Sequence, residues 1–236
     1  MSDTYQIKPI AVIKNDFTSK FGIPRQSGIL DKMESQIIFE PEYRVGEALR
    51  GIEQYSHLWL IWFFSESADD KFRPTVRPPR LGGNKRVGVF ATRSPFRPNS
   101  LGLSSVRLKE VRDTPDHGKI LIVTGADLMD GTPIFDIKPY VKYSDSHSEA
   151  ECGFSDEFKD YALRVIIPED IKKSLSEEKL ETITDILRND PRPSYQHDPE
   201  REYSFEHGGI SLSFKVDGEV LTVTKAESER KAGSEE

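Results

Sequence analysis

HLWLIWFF, residues 57–64, places apolar side chains on both faces of an extended segment and is rich in aromatics. That pattern reads as a strand covered on both sides, in the middle of a sheet or in a barrel wall with a packed outer layer. His57 opens the strand, either as a pocket residue or as a satisfied structural histidine, and Ser65 and Glu66 stand at its far end. Further strands are expected at Ile7–Lys14, Gln36–Glu40, Arg86–Thr92, Ser104–Val111, Lys119–Gly125 and Ile134–Val141, with turn signals such as TPDHG and MDGTP between them. Val45–Gln54 spaces Val45, Ala48, Leu49 and Ile52 for a helix of two to three turns. Many strands and few helices favour a mainly β chain built on an antiparallel, barrel-like sheet over a doubly wound one.

The second half reads differently. SDSHSEAECGFSD, residues 144–156, is polar and acidic and reads as a connection between two domains. Beyond it come a strand at Tyr161–Ile167, a helical stretch Glu169–Asn189 broken near Ser176, and a rigid helix stop at DPRPSY, residues 190–195. Ile210–Val216 and Glu219–Thr224 flank Asp217-Gly218, a strong hairpin signal. The domain plan is therefore 5–145, then a small α+β domain over 158–225, then a tail, 226–236, expected to be disordered.

Composition narrows the function. With 36% apolar and 31% charged residues over 236 positions, the chain reads as soluble. Its longest apolar run, Leu58–Phe64, is seven residues, too short to span a bilayer. MSDTYQIKPI lacks a charged-then-apolar signal pattern, so a cytoplasmic location and no membrane association are expected. Cys152 stands alone, which excludes an intrachain disulfide framework and a cysteine zinc site. The five histidines have no metal-ligand spacing, so no metal is expected.

Charge is unevenly spread. Lys71 to Arg112 holds eleven Lys or Arg against the single acid Glu110; the segment is +10 in a chain of −7, which leaves −17 on the other 194 residues. A concentrated basic block in an acidic protein reads as a footprint for a polyanion, with Phe72, Phe90 and Phe96 interleaved where bases can stack. Within it, VGVFATRSPFRPNSLGLS, residues 87–104, reads as a buried strand followed by a rigid loop that carries Arg93 and Arg97. A solvated surface turn and strands whose phenylalanines are core remain the plainer readings. DLMDGTP, residues 127–133, sets two carboxylates and a threonine on a Gly/Pro-fixed turn after a strand. They suit ligand hydroxyl or ammonium groups, or proton transfer, or simply the capping of a hairpin.

KFGIPRQSG, SHLWLIWFF, FRPTVRPPRLGGN, RVGVFATRSPFRPNSLGLS and DLMDGTPIFDIKPY, with DPRPSY further on, together resemble the TsaA-like or TrmO family of tRNA adenine-N6 methyltransferases. The resemblance runs from about Ile7 to Tyr143, and more loosely to Val223. It implies a closed, non-Rossmann β-barrel that binds S-adenosylmethionine, consistent with the lack of a G-x-G-x-x-G motif after a strand. It also implies a small α+β C-terminal domain, a homodimer, and methylation of N6 on threonylcarbamoyladenosine next to the tRNA anticodon. Matched motif by motif, the cofactor site would use Pro24, Arg25, Gln26, Ser65, Glu66, Arg93, Leu103, Asp130, Gly131, Thr132 and Pro133. Ser65 and Glu66 stand where relatives often carry His or another polar pair, so side-chain contacts there are the weakest part of the match. Arg73, Arg77, Arg80, Lys85 and Arg97, with Arg192 and Tyr195 of DPRPSY, would grip tRNA.

A urea-like N6–H is a poor nucleophile until its proton leaves, which makes Asp130 the first candidate base and Asp136 the second. A non-catalytic RNA-binding barrel is the alternative of a different class, and a small-molecule methyl acceptor is the third reading.

Overall fold

The structure is a computed structural model that describes residues 3–66, 72–78, 81, 85–158, 161–192 and 198–228. The chain divides into two compact units: Met1–Asn15 with Arg25–Ala150, and Asp16–Pro24 with Glu151–Glu236.

The first unit contains β1 (Ala11–Lys14), β2 (Glu34–Phe39), β3 (His57–Phe63), β4 (Thr75–Val76), β5 (Val87–Gly88), β6 (Leu101–Thr114), β7 (Gly118–Thr124) and β8 (Pro133–Pro139). Six of these close on themselves in the order β1-β2-β7-β6-β3-β8, every neighbour antiparallel. Alternation drives the closure. On β3, Leu58 and Leu60 are fully buried and Trp62 nearly so, while Trp59, Ile61 and Phe63 point outward and are half-buried. Their outer face is packed by aromatics: Trp59 lies 5.5 Å from Tyr140, and Phe63 meets Phe135 edge-on at 6.1 Å. The strand covered completely on both faces is β7, where Ile120 to Thr124 are all buried. Ala11, Ile13, Ile37, Leu121, Val123 and Ile134 complete the interior with β3.

One close approach locks β3 to β6. Gly102 faces Trp62 across the ladder, and a Cβ at Gly102 would lie 2.2 Å from the indole ring. The indole Nε1 then donates to Ser104 Oγ at 2.9 Å, so the buried tryptophan is satisfied.

Two expected elements are corrected here. Val45–Gln54 is not an α-helix but two short 3-10 turns, Gly46–Leu49 and Ile52–Gln54, separated by Gly51 at φ +88°. A left-handed residue cannot continue a right-handed helix, and the turns suffice to lay Leu49 and Ile52 against the core. Val87–Ala91 is not a central strand either. Only Val87 and Gly88 pair, with Thr75 and Val76 in a two-stranded ribbon; Val89–Ala91 turns into a 3-10 segment with Val89 buried and Phe90 72% exposed.

After α1 (Lys142–Asp145), the second unit holds β9 (Arg164–Ile166), α2 (Glu169–Ser174), α3 (Glu177–Arg188), β10 (Tyr203–His207), β11 (Ile210–Asp217) and β12 (Val220–Ser228). Its sheet order is β10-β11-β12-β9, with β9 parallel to β12. Ser176 separates the helices as the N-cap of α3, its Oγ accepting from Lys179 N–H. Gly218 at φ +56° makes the expected hairpin between β11 and β12. Strand β12 runs to Ser228, so 226–228 belongs to the ladder and not to the expected tail, whose remaining residues, 229–236, lie outside the described residues. Strand β10 was not anticipated: in YSFEH the buried alternate positions are Tyr203, Phe205 and His207, a weak apolar signal.

Candidate cofactor and nucleic-acid site

The loop Arg25–Gly28 is fastened to the ring by backbone. Gly28 N–H donates to Gly125 O at 2.8 Å, and Ser105 N–H donates to Ser27 Oγ at 3.2 Å. Gly28 and Gly125 both have φ +80°, and a Cβ on Gly125 would sit 3.3 Å from the Gly28 backbone. A side chain on Gly125 would press on the loop at the end of β7, and the left-handed φ strains a side chain at either position.

The same loop carries exposed Gln26, whose Oε1 accepts from Nη1 of exposed Arg93 at 2.6 Å. Asp127, partly buried, accepts through Oδ1 from Ser104 Oγ at 2.5 Å. Burial pushes the Asp127 carboxyl above its ordinary range, an effect only partly offset by the Ser104 hydroxyl, its own backbone, the Arg93 charge and the Ser27 N–H. Leu103, 54% exposed on β6, adds an apolar surface one residue before Ser104. The structure thus brings Gln26, Arg93, Ser104 and Asp127 together. Arg25 is partly buried in the fastened loop. Pro24 is buried and belongs to the second unit.

The turn after Asp127 has other work. Asp130 Oδ2 receives Lys14 Nζ at 3.1 Å and its Oδ1 receives Asn15 N–H at 3.0 Å. Gly131 N–H donates to Ile13 O, Ile13 N–H donates to Thr132 O, and Thr132 is 3% exposed. Asp130 to Thr132 therefore stitch the start of β8 to β1, and Thr132 does not present its hydroxyl to solvent. This geometry argues against Asp130 as the base. Asp136 is likewise occupied, by Lys138 at 2.8 Å and the Ile137 N–H at 2.9 Å. Ser65 and Glu66 are exposed at the end of β3, and Pro133 opens β8 partly buried. His57 is exposed at the other end of β3, paired with Arg107 and bonded to Ser56.

The basic block supplies a surface of arginines ordered by aromatics and carbonyls. Arg73 stacks over Phe96 at 4.3 Å, and Arg97 lies 6.0 Å over Phe90 while donating to the carbonyls of Thr92 and Ser94. Phe72 and Phe90 stack at 6.3 Å with 50% and 72% of their surfaces exposed. Arg77 and Lys85 are exposed. Arg80 and Tyr195 lie outside the described residues.

Arg192 is corrected. It is 6% exposed, and its Nε and Nη2 grip both oxygens of Asp190 at 2.8 and 3.1 Å, while Tyr161 Oη donates to the same carboxylate. A guanidinium engaged this way holds the end of α3 and is not offered to a phosphate. Among the described residues, no group of three His, Cys, Asp or Glu is placed to hold a metal, and no helix is long and apolar enough to cross a membrane.

Sequence reading prefers Asp130 and takes Asp127 only as one of the two carboxylates of DLMDGTP. Its partners Ser27, Arg93 and Ser104 come from three distant segments, so local sequence ranks it no higher than Asp130.

Comparison with known proteins places these features. Residues 12–146 match the tRNA-methyltransferase O N-terminal domain and residues 160–229 the TrmO C-terminal domain. An Escherichia coli protein named tRNA (adenine(37)-N6)-methyltransferase is 39% identical over 82% of this chain and 84% of its own. A Pseudomonas aeruginosa protein named for S-adenosylmethionine-dependent methyl transfer is 40% identical over 85% of this chain and 87% of its own. The crystal structure of TrmO from P. aeruginosa superposes with TM-score 0.77 at 31% identity, covering 97% of this chain and 99% of that one. With both family domains matched in order and a solved relative of the same fold, the chain belongs to the tRNA-methyltransferase O family.

Proposed function

We propose that this family member transfers a methyl group from S-adenosylmethionine to N6 of an adenosine beside the tRNA anticodon. We read the closed ring, over 5–145, as the barrel that holds the cofactor, and 158–225 as an accessory domain. The carrying observation is the Arg93–Gln26 pair, with Gln26 in the loop fastened to the end of β7 and the charge of Arg93 acting on Asp127.

The residues suit the donor. S-adenosylmethionine carries an α-carboxylate, an ammonium, a sulfonium and an adenine ring. An exposed guanidinium and amide fit the carboxylate, a carboxylate behind them fits the cations, and exposed Leu103 fits the ring. When bound, the cofactor supplies an electrophilic methyl group on sulfur. Methyl transfer needs in-line approach more than covalent help, and well-oriented intramolecular systems draw about 7–11 kcal/mol from positioning alone. Arg93 and Gln26 serve that end because each fixes the other's rotamer. Arg25, Ser65 and Glu66 complete the rim in this reading.

For the nucleic acid, Arg73, Arg77, Lys85 and Arg97 supply cations, and Phe72 and Phe90 supply exposed ring faces. The acceptor is threonylcarbamoyladenosine and the working assembly a homodimer; both rest on the family resemblance. Nucleoside mass spectrometry tests the reading. Protein, labelled methyl donor and tRNA with or without the threonylcarbamoyl group are expected to yield labelled N6-methylated adenosine from the modified tRNA. Label on another nucleoside, or none, refutes it.

A further inference from the structure

We infer that Asp127 is the positioning carboxylate of the cofactor site, holding Arg93 and the Arg25–Gly28 loop in the arrangement that receives the methyl donor. The inference rests on the reading above that the Arg93–Gln26 cluster is that site. Three segments converge on this one side chain: Ser104 Oγ from β6 at 2.5 Å, the Ser27 N–H from the loop, and the charge of Arg93 from the segment before β6. Asp130, four residues before β8's second position, serves β1 instead.

The direction of the hydrogen bonds settles what Asp127 does. An indole N–H only donates, so Ser104 Oγ, which accepts from Trp62 Nε1, spends its own proton on Asp127. Ser104 is fully buried and cannot turn to water. The row Trp62 to Ser104 to Asp127 thus runs from the core outward and ends on a partly buried acceptor. Arg93, whose charge acts on that acceptor, turns Nη1 to Gln26 at 2.6 Å. Asparagine would accept from Ser104 equally well. What asparagine lacks is the charge that acts on Arg93.

Energetics point the same way. Burial raises the Asp127 carboxyl, so the folded chain holds that proton more tightly than the unfolded one. Its favourable contribution is full below the ordinary carboxylate range and is lost as pH rises through the raised value. Wherever it is ionised, the group therefore works against folding. Perturbed, partly buried ionisable groups of this kind concentrate at functional sites. Arg93 is the charged group acting on it; Ser104 on β6 and Ser27 on the loop are its neutral partners.

Titration calorimetry of the full chain with S-adenosylmethionine, alongside thermal melting, tests the inference. Asp127→Asn is expected to melt no lower than wild type at neutral pH yet to bind at least tenfold more weakly. Arg93→Ala is expected to cost little more in the Asp127→Asn background, whereas alone it costs at least tenfold. Wild-type affinity is expected to fall on acidification from about pH 8 to pH 4, and Asp127→Asn affinity to stay level. Absence of binding by wild type overturns the cofactor-site reading and this inference together. Wild-type binding with unchanged Asp127→Asn affinity, or with losses that add in the double variant, overturns the inference alone. So does weaker binding accompanied by a lowered melting temperature, which marks a structural residue. Should Asp127→Asn fail to fold, a level wild-type pH profile is the refuting result.

Discussion

Asp190 and Asp127 each feel an arginine's charge, and the contrast between them separates structure from function. Asp190 and Arg192 are closed: both are 6% exposed, the contact is two-pronged, and Tyr161 fills the remaining site. Asp127 and Arg93 are open: the carboxylate is held from behind by Ser104, while the guanidinium stands exposed and turns toward Gln26. A closed pair has spent its hydrogen-bonding capacity on the fold. An open one keeps donors for a ligand.

The largest expected effect tests the closed member. Arg192→Ala leaves Asp190 buried without its cation and is expected to cost about 3–5 kcal/mol of stability, read by chemical denaturation; a change of only a few tenths would break the contrast. Gly125→Ala comes next. At φ +80°, with the Gly28 backbone 3.3 Å away, the added methyl is expected to destabilise by about 1–3 kcal/mol and to weaken cofactor binding by displacing the loop. A variant that melts lower but binds normally would detach the loop from the site.

Arg93→Ala tests the open member. Activity is expected to drop more than tenfold, about 1.4 kcal/mol, while stability changes by no more than about 0.5 kcal/mol. Near-wild-type turnover with intact affinity would remove Arg93 from the site. Smallest is Asp130→Asn: its pair with Lys14 is partly exposed, 29% and 51% by side chain, and is worth about 0–1 kcal/mol. Turnover is expected to stay within about threefold; a large loss without unfolding would restore Asp130 as the base.

Local physics made much of the fold readable in advance. The β3 stretch, the Asp217-Gly218 hairpin and the helix break at Ser176 are each specified by neighbours a few residues apart. The errors arise where one residue or a distant partner decides. Gly51 breaks a helical spacing that its neighbours advertise. Phe90 looks like strand interior until its exposure is seen. The site divides the same way. Arg93 and Gln26 stand out as polar residues in stiff loops, whereas the roles of Asp127 and Asp130 differ through Ser104, Ser27, Lys14 and Asn15. Arg192 shares its motif with Pro191 and Pro193, and nothing local reveals that Asp190 and Tyr161 enclose it.

The most direct test is a crystal structure with S-adenosylhomocysteine bound. The account predicts the ligand's carboxylate in hydrogen-bond contact with Arg93 and its ring against Leu103, with Asp127 still bonded to Ser104. A ligand seated elsewhere, with Arg93 untouched, would contradict it.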